Sequence, residues 1–562
     1  MTDPHLPALS PVALPRPAPA NDPGPLDDRF YDLVEDRFRR LLERDPILAT
    51  FMGVHDADDQ LGDGSVEGIL GDLAAERAHL ADIEAIDDDG LSPEVRFERD
   101  LEVHNLRRSV FDLDEVRLWS RRSQALDAVG DGLFLLFARD HAPLAERLEA
   151  IAGRLEAVPA YLQESRSRAS GPQVRMWQAK EIETADELPT FIDEILAAGD
   201  GTLEPVARKR LSRAAEAAKV ATALHGSWVE GTMAAGTDDW PLGRERHDAL
   251  VALRAFDGLD ADAILALGWE RLAEEHEARA AAAHEIDPDA DVQAVIARVK
   301  ADGPADFDGA LAGYRESMLR ARAHLIERDL ITVPDDERID VIQTPEYLRT
   351  VLPFAAYFQP AAFDADPEGI YVVTPAVHGD PHAMLEHNYA AISNTSIHEA
   401  YPGHHLQLTA ALERPTLSRL LIDAPEFVEG WGMYTELMMR EHGFDTDPHF
   451  RLVMHTDAIW RACRIILDVR MHRGELTVEE ATDFLQAQTG FQRSNAGAEV
   501  EWYTYRPTYP LSYLLGRTLL LDLRADEQRR LGDGFSLKGF HDTLMRNGSL
   551  PISFHRRLLQ GG

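Results

Sequence analysis

The chain has 562 residues and is 44% hydrophobic, enough to bury one large core or two ordinary ones. Asp and Glu outnumber Lys and Arg 98 to 57, a net charge of −41. That balance sets nucleic acid and anionic membrane surfaces aside as partners, because both are bound through basic patches.

Residues 1–26 hold eight of the 32 prolines and no apolar periodicity, which marks an extended or disordered tail. The tail lacks the basic-then-apolar order of a secretory leader. No run approaches the ~18 apolar residues of a membrane span. The expected location is the cytoplasm. From Asp27 the pattern turns helical, with Phe30, Leu33, Val34, Phe38, Leu41 and Leu42 at spacings of three and four. Gly130, Pro159 and Gly303 mark joins or kinks in this helical lobe, residues 27–330. Past residue 330 the character changes. "ERIDVIQTPEYL" (337–348) and "EGIYVVTPAV" (368–377) are short, β-branched and bounded by Pro or Gly, so they predict strands of a small sheet. Helical patterning then returns and runs to the end, giving a second lobe, 331–562, with a soft boundary. The fold class expected is mainly α with a minor sheet.

The chemistry gathers in "NTSIHEAYPGHHLQ", residues 394–407. It begins like the zinc-binding helix H-E-x-x-H, but Pro402 stands where the second histidine belongs. In an ideal helix His398 and His404 splay by roughly 120°, and His398 and His405 stand about 10 Å apart along the axis. Neither pair could share an ion whose bonds to nitrogen are about 2 Å. Pro402 cannot donate a backbone hydrogen bond, and Gly403 tolerates unusual backbone angles. A bulge at Pro402-Gly403 is therefore expected, swinging a histidine back toward His398. A helix simply broken at Pro402 is the plain alternative.

Downstream, "APEFVEGWGMYTELMMREHG" (424–443) reads as a second helix, with Glu429 and Glu436 on one face. Glu429 sits among Phe427, Val428, Trp431 and Met433, where an unpaired carboxylate is costly and a metal ligand role would supply its partner. The single cysteine, Cys463, leaves any such site to histidine and carboxylate. Two histidines and a glutamate, with one position open to water, form a known catalytic zinc set, and Glu399 would serve as general base. Asn394, one turn before His398, could orient a ligand. His387 and Asn388 could line the site or cap the helix that follows. Further on, Asp457, Arg461, Arg464, Asp468 and His472 form one polar stripe on a helix. It reads as a solvated face, or as a wall whose arginine holds a substrate carboxylate.

"HEAYPGHHLQ" followed by "FVEGWGMYTE" resembles the bacterial domain-of-unknown-function family 885, proteins similar to zinc metallopeptidases. "RDPILATFMGVHDADDQLGD" (44–63), "ILDVRMHRGELTVEEA" and "EVEWYTYRPTYPLSYLLG" are similar to further blocks of that family, so the likeness spans nearly the whole chain. A more distant similarity is to thimet-oligopeptidase-type enzymes, whose third ligand lies in an FVE-type segment. The resemblance implies one zinc per chain on His398, His404 and Glu429, with Glu399 as base; Glu436 and His405 would stand behind the ligands. It also implies a mainly helical two-lobed fold with a deep central cleft, and a sheet edge able to take a peptide as an added strand. Tyr513 and Tyr503 are the expected oxyanion donors, with Tyr509 a local substitute, and Arg470 matches a family block. The sequence departs from that family where Thr508-Tyr509-Pro510 replace its Gly-Gln-Ala. The implied activity is hydrolysis of small peptides, of carboxypeptidase or oligopeptidase type. A non-peptide amide substrate, or peptide binding without catalysis, are the alternatives.

Overall fold

In Asp27–Arg44, Phe30, Val34, Phe38 and Leu42 recur every fourth residue and are all buried, which is why this stretch folds as a helix lying on a core. The computed structural model describes residues 14, 23–335, 337–345, 349, 352, 354–364, 367–375, 383–413 and 415–561. Most of the Pro-rich tail therefore lies outside the described residues, as do 346–348 and 376–377, the ends of the two strand-forming stretches.

The chain forms two units: Met1–Trp240 with Ala361–Pro367 and Thr416–Ser418, and Pro241–Pro360 with Glu368–Pro415 and Arg419–Gly562. The division falls at residue 240, well before the boundary expected at 330. The sequence change near 330 marks the start of β-structure; it marks no change of packing partner. The helix Ala261–Ile286 packs along Pro448–His472, so residues 241–330 belong with the C-terminal half.

The first unit is helical throughout its named elements. Leu144–Ser165, Arg175–Ala198 and Pro205–Thr232 pack side by side. Gly130 and Pro159 end no helix: both sit inside one, Ala125–Ala138 and Leu144–Ser165. Around Pro159 the buried Leu155, Val158 and Leu162 hold the helix together, outweighing the hydrogen bond that proline cannot make. Gly303 does lie in a turn between helices.

The returning segment Ala361–Pro367 is tied into this first unit. The N–H of Phe363 donates to the Met52 carbonyl at 2.9 Å. His55 has one ring nitrogen 2.8 Å from Asp58 and the other 3.0 Å from Asp364. Burial opposes the charge of His55, but the two carboxylates win and lift it to about 9. His141 stacks on His55 with ring centroids 3.8 Å apart and planes 3° from parallel. Although His55, Asp58 and His141 cluster closely, an ion in the plane of one ring would lie far out of the plane of the other. With metal–nitrogen bonds of about 2 Å, the stacked pair cannot share one ion as placed. The group is an ion-pair latch.

The second unit carries the sheet, in the order β1 (Ile339–Gln343), β3 (Gly369–Val373), β2 (Ala355–Phe358). β1 runs parallel to β3 and β2 antiparallel to it. β1 and β3 are the two strands expected from sequence; the four-residue β2 is an addition. β3, buried along its whole length, is the central strand, and the helix Tyr389–Glu399 packs near β2. The helix Pro425–Glu441 crosses Ser512–Leu531 so closely that a side chain at Gly430 would meet the backbone of Gly516 at 2.5 Å. None of the described helices is long and apolar enough to cross a membrane.

Candidate metal centre

Asn388 starts the helix Tyr389–Glu399, its side chain accepting the Ala391 N–H at 2.9 Å. The helix stops at Glu399. Ala400 leaves helical geometry, the Tyr401–Pro402 bond is cis, and a new helix, His404–Ala411, begins after Gly403. The expected bulge within one continuous helix is thus replaced by a break and restart. Wide hydrogen bonds bridge the break: Gly403 N–H to the Ile397 carbonyl at 2.9 Å and Leu406 N–H to the Ala400 carbonyl at 3.3 Å. Only glycine fits at 403, since a Cβ there would stand 1.8 Å from the His398 carbonyl oxygen. The Trp431 indole donates to the Pro402 carbonyl at 2.7 Å and pins the turn to the helix Pro425–Glu441.

The break brings the two imidazoles together. His398 and His404 meet edge to face with ring centroids 4.7 Å apart. Their Nε2 atoms lie 3.6 and 3.5 Å from Glu429 Oε2. Ligand atoms bonded at about 2.0–2.1 Å in a tetrahedron stand about 3.3–3.4 Å from one another, so the donor set fits a zinc-sized ion. All three residues are buried. His398 donates through Nδ1 to Glu436 Oε1 at 2.8 Å, which turns Nε2 inward as an acceptor. Glu436 Oε2 in turn accepts from Asn394 at 3.0 Å. A Cβ at Gly432 would lie 2.6 Å from the His398 ring, so glycine is required beneath the imidazole.

Between the protein groups alone, the imidazoles and carboxylates share protons that a bound cation would displace. Burial disfavours the charge of Glu429, yet hydrogen bonds with His398 and His404 hold it well below the usual carboxylate range. Burial likewise opposes a charged His398, but Glu429 and Glu436 lift it to about 10. Once His398 has given up its second proton, two buried carboxylates on two imidazoles leave excess negative charge that a dication would neutralise. Glu399 ends its helix beside His398 and is partly exposed; among the described residues no hydrogen bond engages its carboxylate.

His405 turns away. It is fully buried, with Nδ1 2.9 Å from the Tyr357 hydroxyl on β2 and Nε2 3.6 Å from Glu337. Tyr509 donates to Glu429 Oε1 at 2.8 Å, leaving Oε2 to the histidines. It is reached through Thr508, a β-branched residue held at φ 65° by Asp468, which accepts its N–H at 2.9 Å, and by Arg254 on its hydroxyl at 2.6 Å. The Tyr513 ring lies 6.1 Å from that of Tyr509. Burial first and the Glu429 charge second push both phenols up, so both stay protonated. Two expected residues fall elsewhere. Tyr503 is fully buried, its hydroxyl donating to Glu499 at 2.8 Å and accepting from Trp460 and Arg464, so it is a packing residue with a satisfied hydroxyl. Arg470 pairs with Glu475 at 3.5 Å near the far end of its helix. The polar stripe is largely a buried seam: Asp457 accepts from Asn394, Arg464 pairs with Glu499, Asp468 with His247, and His472 lies 3.0 Å from the Tyr503 carbonyl.

Sequence reasoning missed Gly432, Glu337 and Tyr357. Gly432 had a signal, since a glycine three residues after a buried ligand leaves room for a ring. Glu337 and Tyr357 had none, being partners across more than 40 residues.

Fold and site together define a mainly helical protein with a His–His–Glu candidate metal centre at a helix break. The chain belongs to the family described as bacterial protein of unknown function (DUF885), which matches residues 46–559. Two solved structures share the fold at a TM-score of 0.78 each. One, described as a candidate lipoprotein of unknown function from Shewanella oneidensis, is 22% identical, covering 95% of this chain and 99% of that one. The other, a candidate lipoprotein from Colwellia psychrerythraea, is 17% identical, covering 95% and 98%. No curated protein matches the sequence.

Proposed function

We propose that this protein is a zinc-dependent hydrolase that cleaves small peptides, with His398, His404 and Glu429 holding the ion. The observation that carries the reading is the convergence of both Nε2 atoms on one oxygen of Glu429, at tetrahedral-edge distances, with Glu436 fixing the tautomer of His398. When bound, the ion supplies Lewis acidity and lowers the pKa of water. Glu399, whose carboxylate no described group engages, accepts a proton from the attacking water and returns it to the leaving nitrogen. Tyr513, a neutral phenol beside Glu429, donates to the oxyanion that forms on the substrate carbonyl, and Tyr509 steadies Glu429. β2, at an edge of the sheet and linked through Tyr357 to His405, is the element against which an extended peptide would lie.

The test is metal analysis of the purified protein with turnover of a peptide library by wild type and E399Q. The expected outcome is one zinc per chain in both proteins, with a fall in turnover on the order of 10²–10⁴ in the variant. Full activity in E399Q, or failure of the wild type to retain added zinc, would sink the proposal.

A further inference from the structure

Arg461 is the unmatched cation of the second unit's polar seam. Its Nε and Nη1 are buried with no hydrogen-bond partner among the described residues, while 17% of the side chain stays exposed. The guanidinium carbon lies 3.7 Å from the centre of the Trp460 ring and 6.0 Å from that of Tyr513. Its neighbour Arg464 also stacks on Trp460, but Arg464 has Glu499 at 2.9 Å and the Tyr503 hydroxyl. Among the described residues Arg461 has one carboxylate near it, Asp457 at 3.9 Å, beyond hydrogen-bond reach. Asp457 is already engaged by Asn394 at 3.1 Å, and burial pushes its carboxyl up to about 6, so its oxygens are shared and it offers Arg461 a charge without a hydrogen bond.

A half-buried guanidinium without a hydrogen bond costs stability, and in a chain of net charge −41 a carboxylate partner could readily have been supplied. Its position gives the reason for leaving it open. On one side the chain Asp457–Asn394–Glu436 leads to His398. On the other, Tyr513 and Tyr509 lead to Glu429. The charge therefore stands three intervening side chains from His398 and two from Glu429. A guanidinium held over an indole at 3.7 Å keeps its charge and its N–H donors, and its exposed edge is the part a substrate carboxylate would meet.

Resting on the hydrolase reading above, we infer that Arg461 receives a carboxylate of the substrate, so that the substrates are acylated amino acids or peptides bearing a carboxylate near the bond cleaved. Two sources share this chemistry: the free C-terminus and an acidic side chain.

The experiment uses zinc-loaded full-length E399Q, in which binding is read without turnover. Acetylated tetrapeptides ending in a free carboxylate are titrated calorimetrically beside the same peptides as C-terminal amides, and beside amides carrying one Glu side chain. The expected result is at least tenfold tighter binding of the free acid than of the amide. E399Q with R461Q loses that difference, and E399Q with R461K retains part of it. A Glu-bearing amide that matches the free acid upholds the inference and shows that either carboxylate serves; a Glu-bearing amide at least tenfold tighter than both plain peptides upholds it and assigns the carboxylate to the side chain. Equal affinity for the free acid, the plain amide and the Glu-bearing amide in E399Q overturns it, as does a preference that survives R461Q in a protein of wild-type zinc content and melting temperature. Turnover by the wild type separates the two levels. Cleavage without an acid preference overturns this inference alone, while an Arg461-dependent preference without cleavage overturns the hydrolase and leaves the binding site.

Discussion

Glu436 makes no contact with the proposed ion, yet its removal should be felt there in graded steps. Its carboxylate accepts from His398 Nδ1 at 2.8 Å and from Asn394 at 3.0 Å, and it is 4% exposed. It does two things to His398: it fixes the tautomer with Nε2 unprotonated, and its charge raises the basicity of the ring. E436Q keeps an oxygen that can accept from Nδ1 but loses the charge. Zinc affinity should fall about tenfold, near the lower end for loss of such a partner, or about 1.4 kcal/mol. E436A loses the geometry as well and should cost about a hundredfold, near 2.8 kcal/mol. N394A, one bond further out, should cost only a few-fold. Competition against a chromophoric chelator at fixed pH gives the affinities, and circular dichroism confirms that each variant folds. Wild-type affinity in folded E436A would refute the assignment of His398 as a ligand oriented through Nδ1.

Adding a methyl at Gly432 places a carbon 2.6 Å from the His398 ring. G432A should lose about 1–3 kcal/mol in urea unfolding and at least tenfold in zinc affinity, whereas a loss of stability alone would argue against a ligand role for that ring. Asp468 is fully buried between His247, at 2.9 Å, and the Thr508 N–H. D468A should destabilise by about 3 kcal/mol, since it strands both partners, and unfolding within 1 kcal/mol of wild type would count against that network. The His55 latch gives a pH dependence. Because the folded state raises His55 from 6.5 to about 9, its stabilisation is fully present below pH 6.5 and is lost as pH rises to 9. The shift corresponds to about 3 kcal/mol, or about 1–2 after discounting for partial exposure. The stability gap between wild type and H55N should therefore shrink by about 1–2 kcal/mol between pH 6 and 9.5, and a constant gap would contradict the latch.

Helices were legible because their apolar spacing is local, as in the Phe30–Leu42 stripe. The proposed ligands were legible because a carboxylate among Phe427, Val428 and Trp431 demands a partner, and because Pro402-Gly403 forbids an ordinary helix. What residue types cannot encode is direction. Nothing local tells His404 from His405; their partners Glu429, Tyr357 and Glu337 decide it, and those arrive from distant segments. For the same reason Tyr503 and Tyr509 read alike as phenols in one aromatic block, yet one faces Arg464 and the other Glu429. The bulge expected at Pro402 and the break observed there meet the same requirement, and a linear pattern cannot choose between them. The soft boundary expected near 330 and the division at 240 rest on different things: composition reports where strands begin, whereas residues 241–330 are grouped by what they pack on.

The latch that ties Asp364 to His55 also sets an order of events in synthesis. The first unit is drawn from three stretches of chain, and its later contributions include Asp364, Phe363 and Thr416, whose hydroxyl donates to Glu98 at 2.6 Å. A nascent chain that has reached Trp240 holds the long helices of that unit and Asp58 but lacks Asp364, the second carboxylate on His55. Those partners arrive only with residue 364 and then residue 416, more than a hundred residues on. The N-terminal helices therefore leave the ribosome before their own structure can be completed, and the segment that carries His398 and His404, the proposed ligands, is synthesised between the two returns that finish it.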